Sequence, residues 1–291
     1  AEQPADRVDQ VTVEAMRERL LLAEEMHGQC LDLASLNILE SPLQHLRDIV
    51  DIMPMETDED WQVIGRRLRA VPEALRQWDE SLRAAAAAGR VAPRRQILAC
   101  IRQAEDIAGP SGFYDALLRR SASATERTRE LLTEGTDAAR AGYAQAAGRL
   151  RDLLPSAPEA DACGRDTYQL CSRSFLGARI DLDEAYAWGQ SEVARITDEM
   201  VRVAGEIRPG ATPAKACALL DADPRYRLEG SAALRDWMQE RAEHAISALA
   251  GTHFDIPGPV QRIECRIAES ATGGIYYTPP SDDFSRPGRM W

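Results

Sequence analysis

Three sets of side chains in this 291-residue chain have the types that chemistry needs. The first is the histidines His27, His45, His244 and His253. None stands four residues from another, the spacing that puts two imidazoles on one helix face, and no HExxH occurs, so they do not read as zinc ligands. His27, beside Gly28, reads as a helix-end residue that complements the dipole or sits in solvent. The second set is Cys30, Cys100, Cys163, Cys171, Cys217 and Cys265. They are scattered, without a CxxC pair, and read as reduced, mostly buried thiols. The third set lies in the stretch Glu264 to Trp291, ECRIAESATGGIYYTPPSDDFSRPGRMW, which crowds Gly273-Gly274, Tyr276-Tyr277, Pro279-Pro280, Arg286 and Arg289 together. The chain has no phosphate-binding glycine loop, no dinucleotide fingerprint after a strand and no GxSxG. The expectation is therefore a chain with no catalytic and no metal-ligating residue of its own.

The elements that must hold this stretch read as helices. Val8, Val11, Met16, Leu20 and Ala23 recur among charges as on an amphipathic helix over 8–27. Ser41-Pro42 starts a helix that runs to about Ile52, and Thr57 to Asp60 starts one carrying Trp61, Ile64, Leu68 and Val71. Pro72 is expected to begin a separate helix, with Leu75, Trp78 and Leu82 inward and Gly89 at its end. Pro93 opens another, with Ile97, Leu98, Ile101 and Ile107 on one side. Gly109 to Gly112 is a loop, Phe113 to Arg120 is helical, and 122–154 is the longest helical stretch, stopped by Pro155. Ser156 to Asp161 is the expected boundary between an N-terminal helical region, residues 1–155, and a second helical region, residues 156–291.

In that second region Asp181 caps a helix bearing Tyr186, Trp188, Val193, Ile196 and Met200, which Pro209-Gly210 breaks. Helices over 212–221 and 231–250 follow, the last with Leu234, Trp237, Ile246 and Leu249 inward. Then Val260, Ile263, Cys265 and Ile267 approach the two-residue alternation of a half-buried strand. Ser270 to Gly274 reads as a turn and Ile275 to Thr278 as a second strand. The expected fold is mainly α, a multi-helical array with a small antiparallel β-hairpin or sheet near the C-terminus.

Composition sets outer limits. Apolar residues are 44% and charged residues 28%, as in ordinary globular proteins. A net charge of -12 argues against a nucleic-acid partner, which requires a basic face. No apolar run is long enough to span a bilayer, and AEQPADRVDQ lacks a signal pattern, so the expected location is cytoplasmic, with no membrane partner.

Five segments, taken in order, resemble the bacterial family known as domain of unknown function 885, a zincin-like group. They are SLNILESPLQHLRDIVDIMP, DEDWQVIGRRLRAVPEAL, LDEAYAWGQSEVARITDEM, THFDIPGPVQRIECRI and GGIYYTPPSDDFSRPGRMW. The resemblance covers most of the chain from about residue 30. It implies a helical zinc metallopeptidase in full-length relatives, where a His-Glu-Gly-x-Pro-Gly-His-His helix follows the tyrosine stretch and carries the zinc ligands and the general base. That motif is not in this sequence, so the resemblance implies the N-terminal and middle portion of such an enzyme, inactive alone, with zinc ligated by none of its residues. A homo-oligomer partner, or the missing C-terminal portion, would pack on an exposed apolar surface.

Within that resemblance Gly273 and Gly274 would let a peptide or small amide substrate approach an edge strand. One of Tyr276 and Tyr277 would face the cleft and steady an oxyanion, and Arg286 and Arg289 would hold a carboxylate. The plainer alternative makes the tyrosines core and rim aromatics, pairs the arginines with Asp282 and Asp283, and has the prolines shape a turn. At the level of the whole chain, the alternative to an enzyme portion is a non-catalytic helical binding or assembly protein.

Overall fold

The computed structural model describes residues 5–110, 112–267 and 275–291. Among these it is mainly α, with ten α-helices and one three-stranded sheet, and its contacts divide it into two compact units, Ala1–Ile180 and Asp181–Trp291.

The first unit is built on two long helices, α3 (Asp58–Ala87) and α6 (Glu126–Leu153). Their N-termini are tied together by Asp58, whose carboxylate accepts from the Thr125 N–H (2.8 Å) and the Thr128 hydroxyl (2.9 Å). Arg69 meets Glu134 at 3.1 Å further along, and Arg83 meets Asp152 at 3.1 Å near the far ends, so the two helices run parallel. Close approach is made possible by glycine. A Cβ on Gly135 would lie 2.8 Å from the Gly65 carbonyl oxygen, and one on Gly142 would lie 2.9 Å from Pro72 Cα.

The expected break at Pro72 is absent, and α3 runs through it. An interior proline costs about 3 kcal/mol. Here Ile64, Leu68 and Val71 before it and Leu75, Trp78 and Leu82 after it are all buried, and their packing offsets that cost. The helix α4 (Arg94–Ala108) lies antiparallel to α6, with Arg94 reaching the Leu154 carbonyl at one end and Arg140 the Gly109 carbonyl at the other.

Shorter helices complete this unit. In α2 (Pro42–Ile52) Ser41 and Gln44 form the cap, and the buried Tyr143 hydroxyl donates to the Leu43 carbonyl at 2.9 Å. The helix α5 (Phe113–Arg120) carries the buried Tyr114. The helices α1 (Arg7–Gly28) and α7 (Arg165–Leu176) are joined through Arg173, which meets Glu18 at 2.6 Å and Glu25 at 3.1 Å. The expected boundary at 155/156 therefore falls inside this unit.

The second unit contains α8 (Leu182–Ile207), α9 (Pro213–Ala222), α10 (Gly230–Leu249) and the strands β1 (Ile263–Cys265), β2 (Tyr277–Thr278) and β3 (Gly288–Met290). Its buried apolar residues are small: Ala204, Ala211, Ala216 and Cys265. Leu234 and Trp237, expected inward, are exposed, and Trp188 is 67% exposed. An apolar groove of about 420 Å³ runs between α8 and α9, lined by Ile196, Met200, Val203, Ile207 and Leu220.

The sheet has strand order β1-β3-β2, with β1 parallel and β2 antiparallel to β3. The two expected strands thus do not form an antiparallel hairpin with one another. Each pairs instead with Gly288–Met290, a segment too short to show a period in the sequence. No helix among the described residues is long and apolar enough to cross a membrane.

Candidate functional site

The sheet gathers the C-terminal stretch around β3. Tyr276 and Trp291 exchange backbone hydrogen bonds (3.3 and 2.9 Å), and Thr278 stands opposite Arg289. In an antiparallel ladder the residue between two such pairs turns its backbone the other way. The Tyr277 N–H and C=O therefore face away from β3, and among the described residues no strand pairs with them. Among the described residues the outer side of β2 is thus an edge of the sheet.

The aromatic side chains shape this edge. Tyr276 stacks on Trp291 with ring centres 6.1 Å apart and planes 14° apart, and the Trp291 indole N–H donates to the Thr278 hydroxyl at 3.1 Å. Tyr277 is 54% exposed and lies across Gly288, where an added Cβ would come within 2.1 Å of its hydroxyl. A side chain at this position would need the exposed Tyr277 ring to swing aside.

Both arginines are engaged. Arg289 donates from Nε to Glu264 at 2.7 Å across the parallel β1–β3 pair, and Arg266 reaches the other oxygen of the same carboxylate at 3.0 Å. The hydrogen bond from Arg266, then that from Arg289, holds the Glu264 carboxyl below its ordinary value against partial desolvation. The Arg266 guanidinium also lies 5.8 Å from the Trp291 ring centre.

Arg286 donates to the carbonyls of Pro279 (2.9 Å) and Pro287 (3.3 Å) and so clamps the loop between β2 and β3. That loop is closed by Asp283, which accepts from the Ser281 hydroxyl (2.6 Å) and from the Ser285 N–H (3.0 Å). These bonds take the Asp283 carboxyl down to about 2. Phe284, in the left-handed region at φ 56°, makes the turn. Each guanidinium thus has a partner, but for neither is it Asp282 or Asp283.

Tyr276, Tyr277, Arg286 and Arg289 are therefore brought to one small sheet and its loop. Gly273 and Gly274, with the expected turn at Ser270 to Gly274, lie outside the described residues. Glu264 and Trp291 belong to the same constellation and were not singled out by sequence reasoning. Their roles depend on the pairing with β3, for which the sequence gives no local signal. Among the described residues no three His, Cys, Asp or Glu side chains gather as a metal site. His27 meets Asp32 at 2.8 Å on the surface, and His45 lies 3.8 Å from Glu40.

A crystal structure described as "the putative lipoprotein from Colwellia psychrerythraea" has a similar fold, with a TM-score of 0.69 at 19% identity. The match covers 88% of this chain and 48% of that one, so this chain spans about half the length of that protein. No curated protein matches the chain. The family of bacterial proteins of unknown function DUF885 matches residues 1–291, and the chain belongs to that family.

Proposed function

We propose that this chain is the scaffold and substrate-side portion of a zinc-dependent peptidase-like hydrolase, and that the zinc ligands and general base are supplied from outside it. The observation that carries this reading is the edge of β2. It turns the Tyr277 N–H and C=O outward, beside exposed aromatic rings, in the form that main-chain recognition of an extended peptide uses. The family resemblance carries the choice of zinc chemistry. The span of about half the Colwellia protein and the exposed apolar residues of the second unit support a further portion packing there.

In this reading the two arginines are not carboxylate forks for a substrate. Arg289 and Glu264 fix the register of β1 on β3, and Arg286 shapes the loop that ends at β3. Tyr277 is the residue placed to meet a substrate, through its backbone and its exposed ring.

The test uses a longer family polypeptide that contains this portion and hydrolyses peptides. Tyr277→Pro removes the outward N–H of the β2 edge while leaving the pairs at Tyr276 and Thr278 in place. The expected result is a fall in kcat/KM of about tenfold to a hundredfold, as loss of main-chain pairing would give. Full activity in that variant, with the sheet intact, would contradict the proposed substrate edge.

A further inference from the structure

The two outer edges of the sheet are not alike. The Glu264 backbone in β1 and the N–H of Arg266, the residue just after it, face β3, with the Arg266 N–H donating to the Met290 carbonyl at 2.8 Å. The Ile263 and Cys265 backbones therefore face away. Their outward groups are met by one side chain from α10. Gln239 Nε2 donates to the Ile263 carbonyl at 2.9 Å, and Gln239 Oε1 accepts from the Cys265 N–H at 2.8 Å. This is the pair of bonds that a neighbouring strand would make. The second N–H of the same amide donates to Glu243 Oε1 at 2.8 Å, one turn along α10, which fixes the amide's orientation.

We propose that Gln239 is a positioning residue that seals the β1 edge by standing in for a fourth strand, so that the sheet accepts an added chain only along β2. An unsealed strand edge is a template for pairing with another chain. Unsealed, β1 would offer a second register for an incoming peptide and a route to pairing between copies of the protein. The consequence for β2 rests on the peptide-edge reading above, whereas the sealing of β1 stands on its own geometry.

The experiment compares the unsubstituted chain with Gln239→Ala, and with Gln239→Leu, which keeps the helix and most of the side-chain volume. Hydrogen exchange is followed at the Cys265 and Trp291 amides, and association is followed by sedimentation. The expected result in both variants is exchange at Cys265 faster by about tenfold. Trp291, in the β2–β3 ladder, keeps its protection, and association exceeds that of the unsubstituted chain. Unchanged protection at Cys265, equal loss at Trp291, or no added association would overturn the proposal. If the Gln239 variants behave as expected but Tyr277→Pro leaves peptide hydrolysis by the longer polypeptide intact, the seal stands and the peptide-edge reading falls.

Discussion

Glu264 shows how one carboxylate can organise a small sheet. It sits between Arg289 and Arg266, its pKa is lowered by both, and it joins two strands that lie far apart in sequence. A carboxyl held lower in the folded than in the unfolded state contributes stability above its unfolded pKa and loses it as pH falls through the folded one. The ordinary value for Glu264 is 4.5, so the sheet should begin to weaken as pH drops below that point. Asp283 follows the same sign at lower pH, between its ordinary 3.8 and about 2. Hydrogen exchange at Met290 and Arg266, followed against pH, should show the first of these losses, and Glu264→Gln should abolish it. A profile indifferent to Glu264→Gln would mean that Glu264 does not fix the β1–β3 register.

At the scale of elements, the parallel pair α3 and α6 governs the first unit, and glycine sets its spacing. Gly135→Ala and Gly142→Ala should each destabilise by about 1–3 kcal/mol, because the added methyl meets backbone that must move. Gly148→Ala, on the same helix with nothing within 4 Å, should be neutral or stabilising by up to about 1 kcal/mol. Chemical denaturation of the three variants separates close packing from helix propensity. Equal effects at all three sites would deny the glycine contact its role.

Much of this level was legible in the sequence. Ser41-Pro42, Thr57 with Asp60, and Asp181 each cap the helix expected of them, because a cap is a local device. Pro72 misled for the opposite reason: the packing that carries α3 through it comes from α6, distant in the chain. In the site, the alternation of Ile263 and Cys265 marked β1. The partner strand was not legible, because three residues carry no period and strand pairing is set at long range. The engagement of Arg289 with Glu264, rather than with the nearby Asp282 or Asp283, follows from that pairing.

At the scale of the whole molecule, the second unit is unusual in how little large apolar surface it buries. Tyr186, Trp188, Val193 and Met200 along α8 are exposed, and the α8–α9 groove is open. Surface of this kind is where the further portion proposed above would pack. Cys217 lines that groove. Its labelling by a thiol reagent should be about tenfold slower, or more, in a longer family polypeptide than in this chain alone. Equal labelling in the two would place the partner elsewhere.

The most direct test of the account joins or mixes this chain with a family segment carrying the His-Glu-Gly-x-Pro-Gly-His-His helix, then measures bound zinc and peptide hydrolysis together. The account predicts one zinc per complex, hydrolysis that a chelator removes and added zinc restores, and neither property in this chain alone. A complex that forms and binds zinc yet cleaves no peptide or small amide would contradict it, as would hydrolysis that persists without zinc.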